Sequence, residues 1–201
     1  MPNNLGNFRY GENRENTRMN SASSLVLILP GLGNSGPQHW QSEWERHDAS
    51  MMRVMQDEWH APRCEDWATR LDEVFAAQSN SVVLVAHSAS CALVARWARG
   101  ASTTQLARVL GALLVAPSDP TAPNYPLGPT GFAPVPLQPL PFPSIVVASD
   151  DDIYVSEATA RSYATAWGSR FVLLRGSGHI NSDSGLGIWE SGLQLLKELR
   201  R

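Results

Sequence analysis

The sequence predicts an α/β protein: a doubly wound, mainly parallel six-stranded sheet with helices on both faces. Three observations carry this expectation. Short, almost wholly apolar runs recur along the chain, rich in Val, Leu and Ile. Such runs mark strands buried on both faces, as in a parallel sheet. Between them lie stretches with apolar residues at helical spacing, so strand and helix alternate from Leu25 to the C-terminus. That alternation demands right-handed crossovers, which put helices on both sides of the sheet. Finally, 201 residues with 43% hydrophobic content are enough for one domain with a real core.

Residues 1–23 are polar, with no helical or strand period, and are expected to be a flexible extension. Residues 24–201 are expected to form the single domain. Leu25–Leu29 reads as the first strand, ending in the glycine-rich loop Pro30–Pro37. Gln38–His47 reads as a helix, with Trp40 and Trp44 on one face. Met52–Gln56 is a shorter second strand. Glu65–Gln78 has the clearest helical period, through Trp67, Leu71, Val74 and Phe75. Ser81–Val85 is the third strand, followed by a helix over Ala89–Arg99. Arg108–Ala116 is the fourth.

The next segment, Pro117–Pro143, is different. It holds ten of the 14 prolines, so it is neither a long helix nor a central strand. It reads either as an apolar strap over the core or as a pre-ordered wall of a substrate pocket. Ser144–Ala148 is the fifth strand, and a helix spans Ser156–Trp167 with Ser156 as its N-cap. Arg170–Leu174 is the sixth strand. A last helix covers about Gly187–Arg200.

Composition narrows the function. Charged residues are 17% of the chain and the net charge is -3. Neither nucleic acid nor an anionic membrane surface is expected as a partner. No apolar run is long enough to cross a membrane, and the N-terminus has no secretory apolar core. Cys64 and Cys91 lie far apart, and two buried thiols in a reducing cytoplasm are expected rather than a disulfide. The glycine loop lacks the spacing and the Lys of a phosphate-binding loop, so nucleotide binding is not expected. No close-spaced ligand set suggests a metal.

Ligands of such sheets bind at the carboxyl ends of the strands. Four loops open there. They carry the glycine loop, Ser88, the Asp150–Asp152 cluster and His179. Ser88 lies in Ala86-His87-Ser88-Ala89-Ser90, between a buried strand and a helix. That turn holds a serine hydroxyl up at the end of the sheet, as in G-x-S-x-G, here with Ala and Ser replacing the glycines. A serine needs a base to take its proton, and His179 is suited to that task. The imidazole in turn needs an acceptor to orient it. Asp152 is the candidate, with Asp119 as another possible position. Only one of three adjacent aspartates is expected to be buried against an imidazole, the others staying in water. Gly31, Gly33 and His39 are candidate substrate contacts, although His39 also has a structural reading. His87 is expected to fill space behind the turn, and His47 and His60 to lie at the surface.

At this point the chain resembles a known family. The stretch Leu29–Gln41, Ala86–Ser90, the strand end at Pro117, Pro141–Pro143, Ser149–Tyr154 and Gly176–Asn181 are similar to the small α/β-hydrolases related to retinoblastoma-binding protein nine and their bacterial YdeN-type relatives. The resemblance implies a compact α/β-hydrolase fold without a large cap domain. It implies no cofactor, Asp152 as the acid, and an oxyanion hole of the Leu32 and Ala89 backbone N–H groups. This sequence departs from the family at Ile153, where Pro is usual, and at Ser90, where Gly is usual. The expected function is a serine hydrolase acting on a small-molecule acyl substrate, an ester, thioester or amide. The alternative is a non-catalytic protein- or ligand-binding module on the same scaffold.

Overall fold

The computed structural model describes residues 24–201; the expectation for residues 1–23 lies outside them. Six strands form one sheet: β1 (Leu25–Leu29), β2 (Met51–Arg53), β3 (Val82–His87), β4 (Val109–Val115), β5 (Ser144–Ser149) and β6 (Arg170–Leu174). The order across the sheet is β2-β1-β3-β4-β5-β6, and every pairing is parallel. The helices are α1 (Trp40–His47), α2 (Cys64–Ala76), α3 (Ala89–Gly100), α4 (Thr103–Leu106), α5 (Glu157–Trp167) and α6 (Glu190–Leu199), with a short 3-10 turn at Ser182–Ser184.

The apolar strands bury both faces, as their sequences require. Leu27, Leu29, Leu84 and Ala86 face a core completed by Trp67, Leu71 and Phe75 of α2, Leu93 of α3 and Trp167 of α5. The alternate positions Val26, Ile28, Val83 and Val85 face a second core with Trp40 and Trp44 of α1 and Leu196 and Leu199 of α6. α6 rests close on the sheet: a Cβ at Gly111 of β4 would lie 2.8 Å from Leu199 Cδ2. No helix among the described residues is long and apolar enough to cross a membrane.

Several boundaries differ from expectation by up to three residues, and one short helix is additional. β2 covers Met51–Arg53, not Met52–Gln56, because its partner β1 turns away at Pro30 and leaves nothing to pair with. α1 starts at Trp40 because His39 is its N-cap, accepting the Gln41 N–H at Nδ1 (3.2 Å). α6 starts at Glu190 because Gly187 (φ 54°) and Trp189 (φ 46°) keep the preceding chain out of the helical region. α4 is an element that hydrophobic period does not predict; a capping box between Ser102 and Gln105 closes this single turn.

The Pro-rich segment has two halves with different surroundings. Its later half straps the α2–α3–α5 side: Phe132 packs edge-on to Trp67, and Trp167 Nε1 donates to Pro136 O at 2.7 Å. Its earlier half brings Ser118, Tyr125 and Pro126 to the lining of a cavity at the carboxyl end of the sheet.

Candidate active site

The strand ends of β1, β3, β5 and β6 deliver four loops to this cavity, which has a volume of about 360 Å³. Ser88 occupies the turn between β3 and α3 at φ 56°, ψ -124°. A side chain there costs on the order of 1–3 kcal/mol, so the surroundings must hold it. Ser88 N–H donates to Val115 O of the neighbouring strand (2.9 Å), and helix α3 begins at the next residue. Ala86 and Ser90 are both buried, and the Ser90 hydroxyl donates to Pro30 O at 2.6 Å. The serine in place of glycine thus ties the turn to the glycine loop. Gly31 passes so close that a Cβ there would lie 2.7 Å from Ser88 Cβ. This approach is what glycine allows at position 31.

Ser88 Oγ lies 2.8 Å from His179 Nε2 and donates to it. His179 Nδ1 donates to Asp152, 2.8 Å from Oδ2 and 3.0 Å from Oδ1. The Asp152 side chain is fully buried, and its Oδ1 also accepts the Tyr154 N–H at 2.8 Å. Ile153, the departure from the family pattern, is 68% exposed, so the change falls on a side chain facing outward. Asp119 is elsewhere: its carboxylate accepts the N–H and hydroxyl of Thr121 and caps a turn of the Pro-rich segment.

Only Asp152 of the three aspartates is buried, as expected, but the other two are not idle in water. Asp150 accepts the Gly176 N–H (2.8 Å) and pairs with Arg175, and Asp151 accepts the Gly178 N–H (2.7 Å). Both fasten the loop that carries His179. His87 does more than fill space. Its Nε2 donates to His179 O at 3.0 Å, and its ring lies edge-on to His39 with 4.8 Å between centroids. Trp40 Nε1 donates to Ile180 O at 2.8 Å, so α1 also holds that loop. Burial pushes His87 well below the usual histidine value, and the neighbouring imidazoles of His39 and His179 add to this. His39 falls to about 4, through burial first and then the charges of Arg53 and His179. Both rings are therefore neutral near pH 7.

Gln41 carries no motif that singles it out in the sequence, yet it braces the site. It is buried, accepts from the Ser35 hydroxyl (2.6 Å) and donates to Leu29 O and Val85 O, joining the ends of β1 and β3. Leu32 and His39 line the cavity. Gly31 and Gly33 do not: Gly31 lies against Ser88, and Gly33 (φ 75°) forms a turn whose N–H donates to Trp59 O. Their expected contact with substrate is thus replaced by a role in loop geometry. Neither Leu32 nor Ala89 gives its backbone N–H to a protein acceptor among the described residues. His47 and His60 are exposed. Cys64 and Cys91 are free and buried. Burial raises both thiols, Cys64 to about 11, so neither supplies a thiolate. Among the described residues no cluster of His, Cys, Asp or Glu is placed to hold a metal ion.

Comparison with known proteins adds independent findings. A family described as Serine hydrolase matches residues 26–198. Among solved structures, a protein described as a YdeN-like hydrolase from Pectobacterium atrosepticum is 29% identical, with a TM-score of 0.76 over 89% of this chain and 91% of that one. The ydeN gene product of B. subtilis is 21% identical, with a TM-score of 0.67 over 88% and 98%. A type II thioesterase, BorB, from the borrelidin biosynthetic cluster is 18% identical, with a TM-score of 0.61 over 90% and 94%. The last two establish likeness of fold alone. No curated protein sequence matches this chain significantly.

Proposed function

The chain belongs to the serine hydrolase family, and from that premise we propose that it cleaves a small ester, thioester or amide through an acyl-enzyme on Ser88. The observation that carries this reading is the unbroken relay from Ser88 Oγ through His179 to the buried Asp152, each link 2.8 Å. Ser88 Oγ attacks the substrate carbonyl carbon while His179 Nε2 takes its proton. Asp152 holds the ring in the productive tautomer and stabilises the imidazolium. The carbonyl oxygen gains the negative charge, and the unpaired N–H groups of Leu32 and Ala89 are the donors for it. Removing one such donor typically costs about 10²–10³ in rate. The intermediate collapses, the bond to the leaving group breaks, and that group takes the proton from His179. Water then repeats the sequence on the acyl-enzyme, with His179 as base and then acid, and releases the acid.

A vestigial scaffold that only binds a partner has no use for a strained serine with a partnered base and acid. The buried free thiols of Cys64 and Cys91 fit a reducing compartment and support cytoplasmic residence. A fluorophosphonate probe tests the reading. It is expected to label Ser88 in the folded protein, and far more slowly after His179→Ala. Absence of labelling, or equal labelling in both proteins, would overturn it.

A further inference from the structure

The relay and the two backbone donors leave part of the cavity wall unexplained. Asn34 lies two residues beyond Leu32 in the glycine loop and lines the cavity. Its backbone is left-handed, at φ 64°. Its Oδ1 accepts the Ser35 N–H (2.7 Å) and Arg53 Nη1 (2.8 Å). A guanidinium only donates, so the atom facing it must be the amide oxygen. This fixes which way the amide points, and Nδ2 finds no acceptor among the described residues. Arg53 is itself immobilised, donating to Ser35 O (2.8 Å), the Ser42 hydroxyl (2.6 Å) and Glu45 (2.9 Å). The Asn34 amide is therefore a pre-oriented donor with nothing in the protein to receive it.

The Pro-rich segment contributes to the same cavity. The hydroxyls of Ser118 and Tyr125 are both buried beside one another in its wall, closed off from the cavity itself. The lining contains no Lys or Arg, and its one carboxylate besides the relay is Asp183. An anionic substrate is disfavoured there. At about 360 Å³ the cavity is near the lower end for ligand pockets, which favours a short acyl chain. The leaving group must reach His179 Nε2 to take its proton. It therefore lies on the side of the more open groove formed by Tyr154, Gly178 and Asn181. The acyl group then lies against Asn34 and the Pro-rich segment.

We propose that the cavity selects a short, uncharged acyl group carrying a hydrogen-bond acceptor beyond the scissile carbonyl, and that Asn34 is the donor that reads it. The inference rests on the serine-hydrolase reading above, and deepens it from reaction to substrate class.

The test compares p-nitrophenyl 3-methoxypropanoate with p-nitrophenyl pentanoate. The two acyl chains are isosteric and differ by one ether oxygen. Each kcat/KM is divided by the rate of the same ester with hydroxide, which removes the inductive effect. The methoxy ester is expected to be favoured at least about tenfold, and p-nitrophenyl octanoate to be poorer than either. Asn34→Asp retains an oxygen for Arg53 but replaces the donor with an acceptor, so the ratio should fall below one. Tyr125→Phe, which removes a hydroxyl buried beside Ser118 and closed off from the cavity, should leave the ratio unchanged. A wild-type ratio of one or less, with Ser88 labelled by fluorophosphonate, overturns this inference and spares the reading beneath it. A ratio unmoved by Asn34→Asp overturns Asn34 as the donor that reads the acyl group. Failure of Ser88 to label overturns that reading and this inference with it.

Discussion

On the side of the cavity formed by the β3–α3 turn and the loop after β6, the side chains of the relay all have partners. Ser88, His179 and Asp152 hydrogen bond in sequence, while His87, Asp150, Asp151 and Trp40 fasten the backbone that carries the histidine. On the side formed by the glycine loop and the Pro-rich segment, the Asn34 amide is held at one end only: Oδ1 accepts from Ser35 and Arg53, and Nδ2 has no acceptor among the described residues. The difference follows from when each group acts. A nucleophile and its base must be aligned before substrate arrives, because misplacement of about 1 Å can cost about 10² in rate. A group that recognises substrate exchanges water for its partner only on binding, so it has no need of a partner within the protein.

The sharpest way to break this contrast is at Gly31. A Cβ at that position meets Ser88 Cβ at 2.7 Å, so Gly31→Ala should displace the nucleophile. Fluorophosphonate labelling of Ser88 is expected to slow by about 10²–10³ with the fold retained by circular dichroism. Labelling at the wild-type rate would show that the turn is not as tightly held as its packing implies.

A smaller effect concerns His39, which lies between the two sides. In the folded protein its pKa is about 4, below the unfolded value of 6.5. Between these values the unfolded chain binds more protons, so stability should fall as pH drops from about 6.5 toward 4. One such group contributes a slope of at most about 1.4 kcal/mol per pH unit. His39→Asn keeps an N-cap acceptor for α1 and should flatten the urea-unfolding stability profile in that window. An unchanged slope would show that His39 is not buried in its neutral form.

The smallest effect tests the recognition side. Tyr125→Phe removes a phenol whose pKa burial raises to about 12 and which lies beside the Ser118 hydroxyl. The melting temperature is expected to fall by up to a few degrees, with selectivity retained. An unchanged or raised melting temperature would show that the hydroxyl has no structural bond.

Much of the fold and of the relay is legible in the amino-acid sequence. The apolar runs at Leu25–Leu29 and Val82–Val85 identify buried strands. The serine after one strand and the histidine after another identify two of the relay's three members. The Ser102-x-x-Gln105 capping box of α4 is legible too, but a single turn leaves no hydrophobic period to draw attention to it. The length of β2 is not legible, because it depends on where β1 stops offering partners. Nor are the tasks of Asp150 and Asp151. As a run of three like charges they read as solvated surface, and only the returning backbone of Gly176 and Gly178 gives them work.

The sequence by itself determined the fold class and the order in which serine, acid and base occur, because hydrophobic period and short turn motifs are local properties of the chain. Tertiary structure decided which aspartate is buried against His179, how His87 and Trp40 hold that loop, and which way the Asn34 amide is turned. Those properties depend on neighbours far apart in the chain. Arg53 pins Asn34 across 19 positions and Trp40 reaches Ile180 across 140, and no local pattern encodes either meeting.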